Sequence, residues 1–242
     1  MRSYVKGLKD GIPIALGYIS VGFGFGVFAV GMGLTVLQAV GISASNLTSA
    51  GQVAGVGIIA AAGSIVEMVL AQLVINIRYS LMCISLSQKL DDSFNTANRL
   101  LVSFSITDEI FAVAYAQKEK LTPRYMYGLI TMGFVSWTGG TLLGAAAGAI
   151  LPTSISNAMG IMLYGMFIAV IIPAAKAEKG AFLTVVISAA ISIAIKYIWP
   201  FLESRFALPA ISDGIAVIIS AIIGAAISAW LFPIRYEEEE RE

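Results

Sequence analysis

Apolar stretches long enough to cross a lipid bilayer follow one another along almost the whole chain, separated by short polar or charged clusters. A helix needs about 20 mostly apolar residues to traverse about 30 Å of hydrocarbon. Runs of that kind fall at 12–34, 65–88, 99–117, 125–151, 156–175, 181–199 and 213–232. The stretch 36–64 is also uncharged, but Ser43, Ser45, Asn46, Thr48, Ser49 and Gln52 cluster around Gly51 in its middle. A uniform helix facing lipid would not carry such a cluster. Pro13 falls in the first turn of the first run, where a missing N–H costs little. Pro152, Pro173, Pro200, Pro209 and Pro233 stand at or near the ends of later runs. The pattern predicts an all-α fold, a polytopic transmembrane helical bundle of eight spans with discontinuous helices. The number becomes seven if 36–64 is a re-entrant hairpin that returns to its own side. The first run is too long and too rich in glycine for a cleavable leader and is expected to remain as a span.

One integral membrane domain, 1–242, accounts for the whole pattern. A faint repeat lies within it: the segment 26–45 can be laid over 144–163, each reading as a small-residue helix, an uncharged turn and a glycine-interrupted second helix. Repeat halves would then lie at about 10–117 and 125–233, parallel with eight spans and inverted with seven. Composition alone also produces such likeness between alanine- and glycine-rich segments. Transporters built from repeats place their substrate site near the bilayer midplane.

Composition narrows the function. The chain is 58% hydrophobic and 12% charged, with a mean hydropathy of +0.86, against about 25% charged residues in soluble domains. Lipid bilayer is therefore its main solvent. Fifteen basic residues balance fifteen acidic ones, and no basic block is dense enough for nucleic-acid phosphates, so no nucleic-acid partner is expected. Cys83 is the single cysteine and there is no histidine. An internal disulfide, a zinc site and serine–histidine chemistry are excluded, and no metal or cofactor is expected. The run 22–26 (GFGFG) lacks the strand and the lysine of a nucleotide loop.

Basic residues collect in short cytoplasmic loops. With the N-terminus inside, the inner segments hold Arg2, Lys6 and Lys9, then Lys118, Lys120 and Arg124, then Lys176 and Lys179, then Arg235 and Arg241. Both termini are then cytoplasmic. Lys89 and Arg99, beside Asp91 and Asp92, and Lys196 and Arg205, beside Glu203, are exceptions. The acidic tail 237–240 reads as a solvated run.

Gly22 and Gly26, Gly51 and Gly55, and Gly140, Gly144 and Gly148 recur at intervals of four. Small residues at that spacing let helix backbones approach closely in a membrane. Charges inside the apolar runs carry more information. Arg78 falls near the middle of one run, and Asp108 and Glu109 near the middle of the next, where a single charge costs about 3 kcal/mol on insertion scales. Such groups need partners or a water-filled cavity. Gln72, Asn76, Ser80, Cys83 and Ser87 form a stripe on one helix, and Ser105 with Glu109 and Ser103 with Thr107 form shorter ones on the next. One reading is a purely structural ion pair from Arg78 to Asp108 or Glu109. At 50–52 two readings stand: a broken helix whose N-terminal N–H groups receive a carboxylate, or a glycine kink with hydroxyls bonded back to the helix.

At these residues the chain resembles the azaleucine-resistance (AzlC-type) branched-chain amino acid permease family. The likeness rests on Gly11-Ile-Pro13 with Gly17-Tyr18, on 22–26, on Ala50-Gly51-Gln52, Asn76-Ile-Arg78 and Thr107-Asp108-Glu109, and on Trp137 leading to Gly140-Thr141 and Gly144. It runs in order over about 6–232. Tyr79 stands where the family usually has a histidine. The resemblance implies export of leucine, isoleucine, valine and similar apolar amino acids across the cell membrane, with a separately encoded small multi-span partner subunit.

A zwitterion needs a cation or N–H groups for its carboxylate, an anion for its ammonium and an apolar pocket for its side chain. The expected substrate-binding set is Tyr18, Gly51, Gln52, Asn76, Arg78, Asp108 and Glu109. Arg78, Asn76 and the Gly51–Gln52 backbone would take the carboxylate, and Asp108 or Glu109 the ammonium. Glu109 is the expected proton carrier of an ion-gradient-driven secondary exporter, since removal from water favours the neutral form of a carboxylic acid. The rivals are a channel, a membrane scaffold subunit without its own transport site, and an enzyme. The enzyme lacks support: of five aspartates only Asp108 lies deep in a span.

Overall fold

A computed structural model of the chain describes residues 2–148, 175–206 and 208–233, with isolated positions between 150 and 173. The described residues form helices and no strand: α1 (Arg2–Gly31), α2 (Val36–Ser45), α3 (Ala50–Ala60), α4 (Ile65–Ser87), α5 (Thr96–Phe104), α6 (Asp108–Tyr115), α7 (Pro123–Gly148), α8 (Lys179–Phe206) and α9 (Asp213–Leu231). Five of these, α1, α4, α7, α8 and α9, are long and apolar enough to cross a membrane. The expected span at 156–175, the tail at 237–240 and most of the second repeat segment at 144–163 lie outside the described residues.

Two prolines stand differently from expectation. α1 starts well before residue 12, so Pro13 lies inside it, and α8 continues through Pro200 to Phe206. Membrane helices tolerate an internal proline where neighbouring groups satisfy the freed carbonyl. The early turns of α1 are also held in place, because Gly7 lies directly on Gly128 of α7.

The chain divides into two compact units, 1–62 with 75–166 and 63–74 with 167–242. In the first, α1 and α7 make the most extensive helix contact. Gly7 faces Gly128, Gly22 faces Trp137 and Gly26 faces Gly144, so the two helices run parallel. Their backbones touch. A Cβ at Gly7 would stand 3.1 Å from the Gly128 Cα, and one at Gly26 would stand 2.5 Å from the Ala145 nitrogen. This is the close packing that small residues at intervals of four permit, and it covers nearly the full length of both helices.

Between these parallel helices the chain makes two hairpins of half-length helices. α5 has nine residues and α6 eight, each about half a bilayer at 1.5 Å per residue. Their outer ends meet: Asp91 N donates to Leu121 O (3.0 Å), Leu121 N donates to Lys89 O (2.7 Å), and Lys89 Nζ reaches the carbonyls of Tyr115 and Gln117. Lys89 thereby places a cation at the negative end of α6. Gln117 also bonds Lys6 and Asp10, and Asn98 accepts from Tyr127 of α7. All these contacts lie at the end where α1 and α7 begin, which we call the near end. The turn 105–107 lies deep, against Tyr18 and Ile110. Segment 99–117, expected as a crossing helix, is therefore a re-entrant hairpin whose tip is Ser105, Ile106 and Thr107.

α2 and α3 mirror this from the far end. Thr35 caps α2 just past the end of α1, and Ser43 descends to bond Thr141 of α7 (2.7 Å). The chain turns at 46–49, and α3 returns beside α2, since Val56 packs in one cluster with Ala29, Leu34 and Ala39. The seven-span expectation already has a hairpin at 36–64, so the hairpin at 99–117 removes one further crossing from it, and α4 is the one described helix between α1 and α7 long and apolar enough to cross. That is what parallel α1 and α7 require. Lys89 and Arg99 share the near end with Lys6, Lys9, Lys118, Lys120 and Arg124.

The expected polar stripe of α4 is partly realised: Gln72, Asn76 and Cys83 are half-buried, while Ser80 and Ser87 are exposed. Leu73, Ile77, Leu81 and Ile84 form an exposed apolar row. In the second unit α9 packs on α8, where a Cβ at Gly224 would stand 3.2 Å from Ser188 Cβ. Ser212 caps α9 and donates to the buried Glu67 (2.6 Å), whose carboxylate lies against Gly214. A carboxylate is favoured at that positive helix end.

Candidate functional site at the hairpin tips

α6 starts at Asp108 because Thr107 caps it: Thr107 Oγ1 accepts from Ile110 N (3.3 Å). Asp108 and Glu109 therefore occupy a first helical turn, where the partial positive charge of the N–H groups favours carboxylates. The broken helix explains how two adjacent acids can lie at mid-depth.

Arg78 of α4 meets this tip, with Nη2 2.9 Å from Asp108 Oδ2. Its guanidinium carbon also lies 5.0 Å from the ring centroid of Tyr79. Tyr18 of α1 reaches the tip from the other side. Its hydroxyl donates to Glu109 Oε2 (2.6 Å) and lies 2.5 Å from Thr107 Oγ1. The proton order is consistent, with Thr107 donating to Tyr18 and Tyr18 to Glu109. Trp137 fixes the Tyr18 ring edge-on, at 5.4 Å between centroids. Gly133 leaves the room for this packing, since a Cβ there would stand 3.0 Å from Ile110 Cδ1.

Tyr18, Arg78, Asp108 and Glu109, all anticipated, thus share one cluster. It is open rather than sealed: the Arg78 and Asp108 side chains are 42% and 34% exposed, and Glu109 is exposed as well. Asn76 lies two residues from Arg78, half-buried.

Gly51 and Gln52 belong to the other tip. Gln52 is 1% exposed; its Oε1 accepts from Ser49 N (3.2 Å) and its Nε2 donates to Ser43 Oγ (3.0 Å). Gly51 N donates to Thr48 O (3.1 Å). The helix is broken here, one of the two readings of 50–52, and Gln52 closes the turn across the break. Ser49 sits at φ 48°, a backbone conformation uncommon outside glycine. Ser43 and Thr141 are both fully buried, and Thr141 donates to Trp137 O (3.0 Å).

The two tips consequently reach α7 one turn apart, one through Trp137 and one through Thr141. Trp137 is 3% exposed, and its Nε1 has no hydrogen-bond partner among the described residues. Ser43, Thr141 and the capping role of Thr107 were not anticipated. The signals were present: Ser49-x-x-Gln52 has the spacing of a capping box, and Thr107 before two acids has the form of a helix start.

Comparison with known proteins finds similarity to membrane proteins. The family model described as AzlC protein matches residues 13–151, which includes α1 to α7 except for the first turns of α1. "Inner membrane protein YgaZ" of Escherichia coli is 26% identical over 197 residues, covering 78% of this chain and 80% of that protein. An Archaeoglobus fulgidus protein named as an uncharacterized membrane protein is 29% identical over 170 residues, 69% of this chain and 74% of its own length. A Helicobacter pylori protein of the same name is 30% identical over 157 residues, 62% and 68% of the two chains. No solved structure matches.

Proposed function

Because this chain belongs to the AzlC family of membrane proteins, we propose that it is a secondary transporter subunit that exports branched-chain amino acids across the cell membrane, driven by an ion gradient. The observation that carries the proposal is the opposed pair of charges at a hairpin tip, Arg78 against Asp108, with Glu109 beside them and held by Tyr18. A zwitterionic amino acid inserted between Arg78 and Asp108 replaces one ion pair by two. Its carboxylate takes the guanidinium and its ammonium takes Asp108. Exchange of pairs costs less than stripping an unpaired charge of water. Asn76, next to Arg78 on α4, supplies an amide to the carboxylate.

Glu109 is the proposed proton carrier, reached through the Thr107–Tyr18 hydrogen-bond chain. Gly51 and Gln52 act by holding the opposite tip in place. The near end gathers Lys6, Lys9, Lys89, Arg99, Lys118, Lys120 and Arg124, whereas the far-end turns 32–35 and 61–62 carry no charge; this asymmetry supports a cytoplasmic near end and N-terminus. A small multi-span partner subunit completes the assembly.

The Arg78–Asp108 pair also suits a second reading, a scaffold subunit in which the pair only joins α4 to the tip. The test is flux of labelled leucine in proteoliposomes, with and without an imposed pH gradient and with the partner added. Gradient-dependent, saturable leucine flux that is lost in Glu109→Gln is expected. Absence of leucine flux under all these conditions overturns the exporter reading. Flux unchanged in Glu109→Gln removes the carrier role alone.

A further inference from the structure

An open pocket of about 300 Å³ lies beneath the α5–α6 tip, bounded by the end of α4, α5 and the start of α7, with Ile84 and Leu100 exposed at its rim. It extends from Phe94, at the near-end loop, to Ile106, in the tip itself. Its walls are aliphatic and aromatic, chiefly Leu86, Phe94, Val102, Ile106 and Met126. The two hydroxyls that line it are already satisfied, Ser87 by Ile84 O (2.6 Å) and Ser103 by Leu100 O (2.9 Å). One group is left over. Arg99 lines the cavity, is exposed, and among the described residues its guanidinium has neither a carboxylate nor a hydrogen-bond acceptor. The volume lies at the lower end of the range for small-molecule sites, and an apolar wall with few polar groups is their usual form.

We propose that this cavity is a loading site for the aliphatic amino acid on its way from the near end to the tip, an inference that rests on the exporter reading above. The branched side chain lies among Leu86, Phe94, Val102 and Met126, Arg99 takes the carboxylate, and the ammonium stays in water at the mouth. No acidic side chain lines the cavity, so the ammonium meets its anion only at Asp108, two residues beyond Ile106. The site therefore selects first for an apolar side chain and a carboxylate, and the tip then reads the whole zwitterion. An acyl chain of an anionic lipid shares this chemistry, but the small volume and the position directly below the tip favour the amino acid.

Cys83 lines the cavity and is the only cysteine of the chain, so the natural protein carries its own reporter. The experiment measures the rate at which a small methanethiosulfonate modifies Cys83 in proteoliposomes of phosphatidylcholine alone. Leucine is expected to slow modification at least about fivefold, with half-protection near the concentration that half-saturates flux, while glycine has little effect. Arg99→Gln loses this protection, and Arg78→Gln, outside the cavity, keeps it. Phosphatidylglycerol added to the vesicles leaves the wild-type rate unchanged. Leucine flux without protection of Cys83, failure of the reagent to reach Cys83 at all, or protection by phosphatidylglycerol in place of leucine overturns the loading site. Protection without flux leaves the site standing and overturns the exporter reading.

Discussion

The Tyr18 hydroxyl lies 2.6 Å from Glu109 Oε2 across two helices that the sequence separates by 91 positions. The ring is clamped by Trp137 independently of that bond, so the hydroxyl can be removed without removing the packing. Tyr18→Phe is therefore expected to fold, with a melting temperature in detergent lowered by the loss of the hydroxyl's hydrogen bonds. Its gradient-driven leucine flux should fall about tenfold or more, in line with a hydrogen bond to a charged group contributing about 1.5–3 kcal/mol. Unchanged flux would show that Tyr18 does not act through Glu109.

Arg78 and Asp108 separate the transport reading from the scaffold reading. The Arg78 and Asp108 side chains are 42% and 34% exposed, so neutralising both together is expected to cost little packing. Arg78→Gln and Asp108→Asn should each abolish flux and lower the melting temperature, since each leaves the opposite charge unpaired. The double neutral variant decides the matter. If the pair only joins helices, the double change restores transport; if it binds the zwitterion, stability stays near wild type and flux remains absent.

The glycine rows make an internally controlled prediction. Gly22→Ala places a methyl 2.6 Å from the Trp137 carbonyl, and Gly26→Ala places one 2.5 Å from the Ala145 nitrogen. Backbone on the opposing helix cannot rotate away, so each is expected to destabilise by about 1–3 kcal/mol or more. Gly17 and Gly139, on the same two helices, have nothing within 4 Å of the added carbon. Their alanine variants should melt at or slightly above the wild-type temperature.

At the far tip, Gln52→Ala removes the partner of Ser49 N inside a buried turn and one of the two partners of Ser43 Oγ, which keeps Thr141. A loss of about 1–3 kcal/mol follows for the group left unsatisfied. Ser49→Gly should act in the opposite direction, because glycine enters positive φ without the steric cost serine bears. Thermal melts of the two variants check both signs.

Much of this was legible in the residues, and the limits have physical causes. Helix-forming apolar runs, the Gly22–Gly26 and Gly140–Gly148 rows and the placing of Arg78, Asp108 and Glu109 within apolar stretches all follow from hydropathy and spacing. What hydropathy cannot register is direction. A stretch such as 99–117 has enough apolar residues to cross, yet Thr107 starts a new helix within it, and the decisive contact is between Lys89 and the carbonyls closing α6. The far-tip hydroxyls were obscure for a related reason. Ser43 and Thr141 are ordinary residues in a small-residue helix until folding brings them to 2.7 Å.

The re-entrant path of α5 and α6 gives the most direct test of the fold. Asp92 and Glu119 lie in the two loops joined through Leu90 and Leu121, so both should be reached from one side of the membrane. Met32 and Ala61, in the turns after α1 and α3, should be reached from the other. Single cysteines at these four exposed positions, on a Cys83→Ser background, can be labelled in intact cells with an impermeant maleimide and again after permeabilisation. Labelling that pairs 92 with 119 and 32 with 61, on opposite faces, is expected. Residues 92 and 119 on opposite faces would make 99–117 a crossing helix after all. Asp108 and Glu109 would then no longer stand in the first turn of a half-helix, and the electrostatic support for two adjacent carboxylates at mid-depth would go with it.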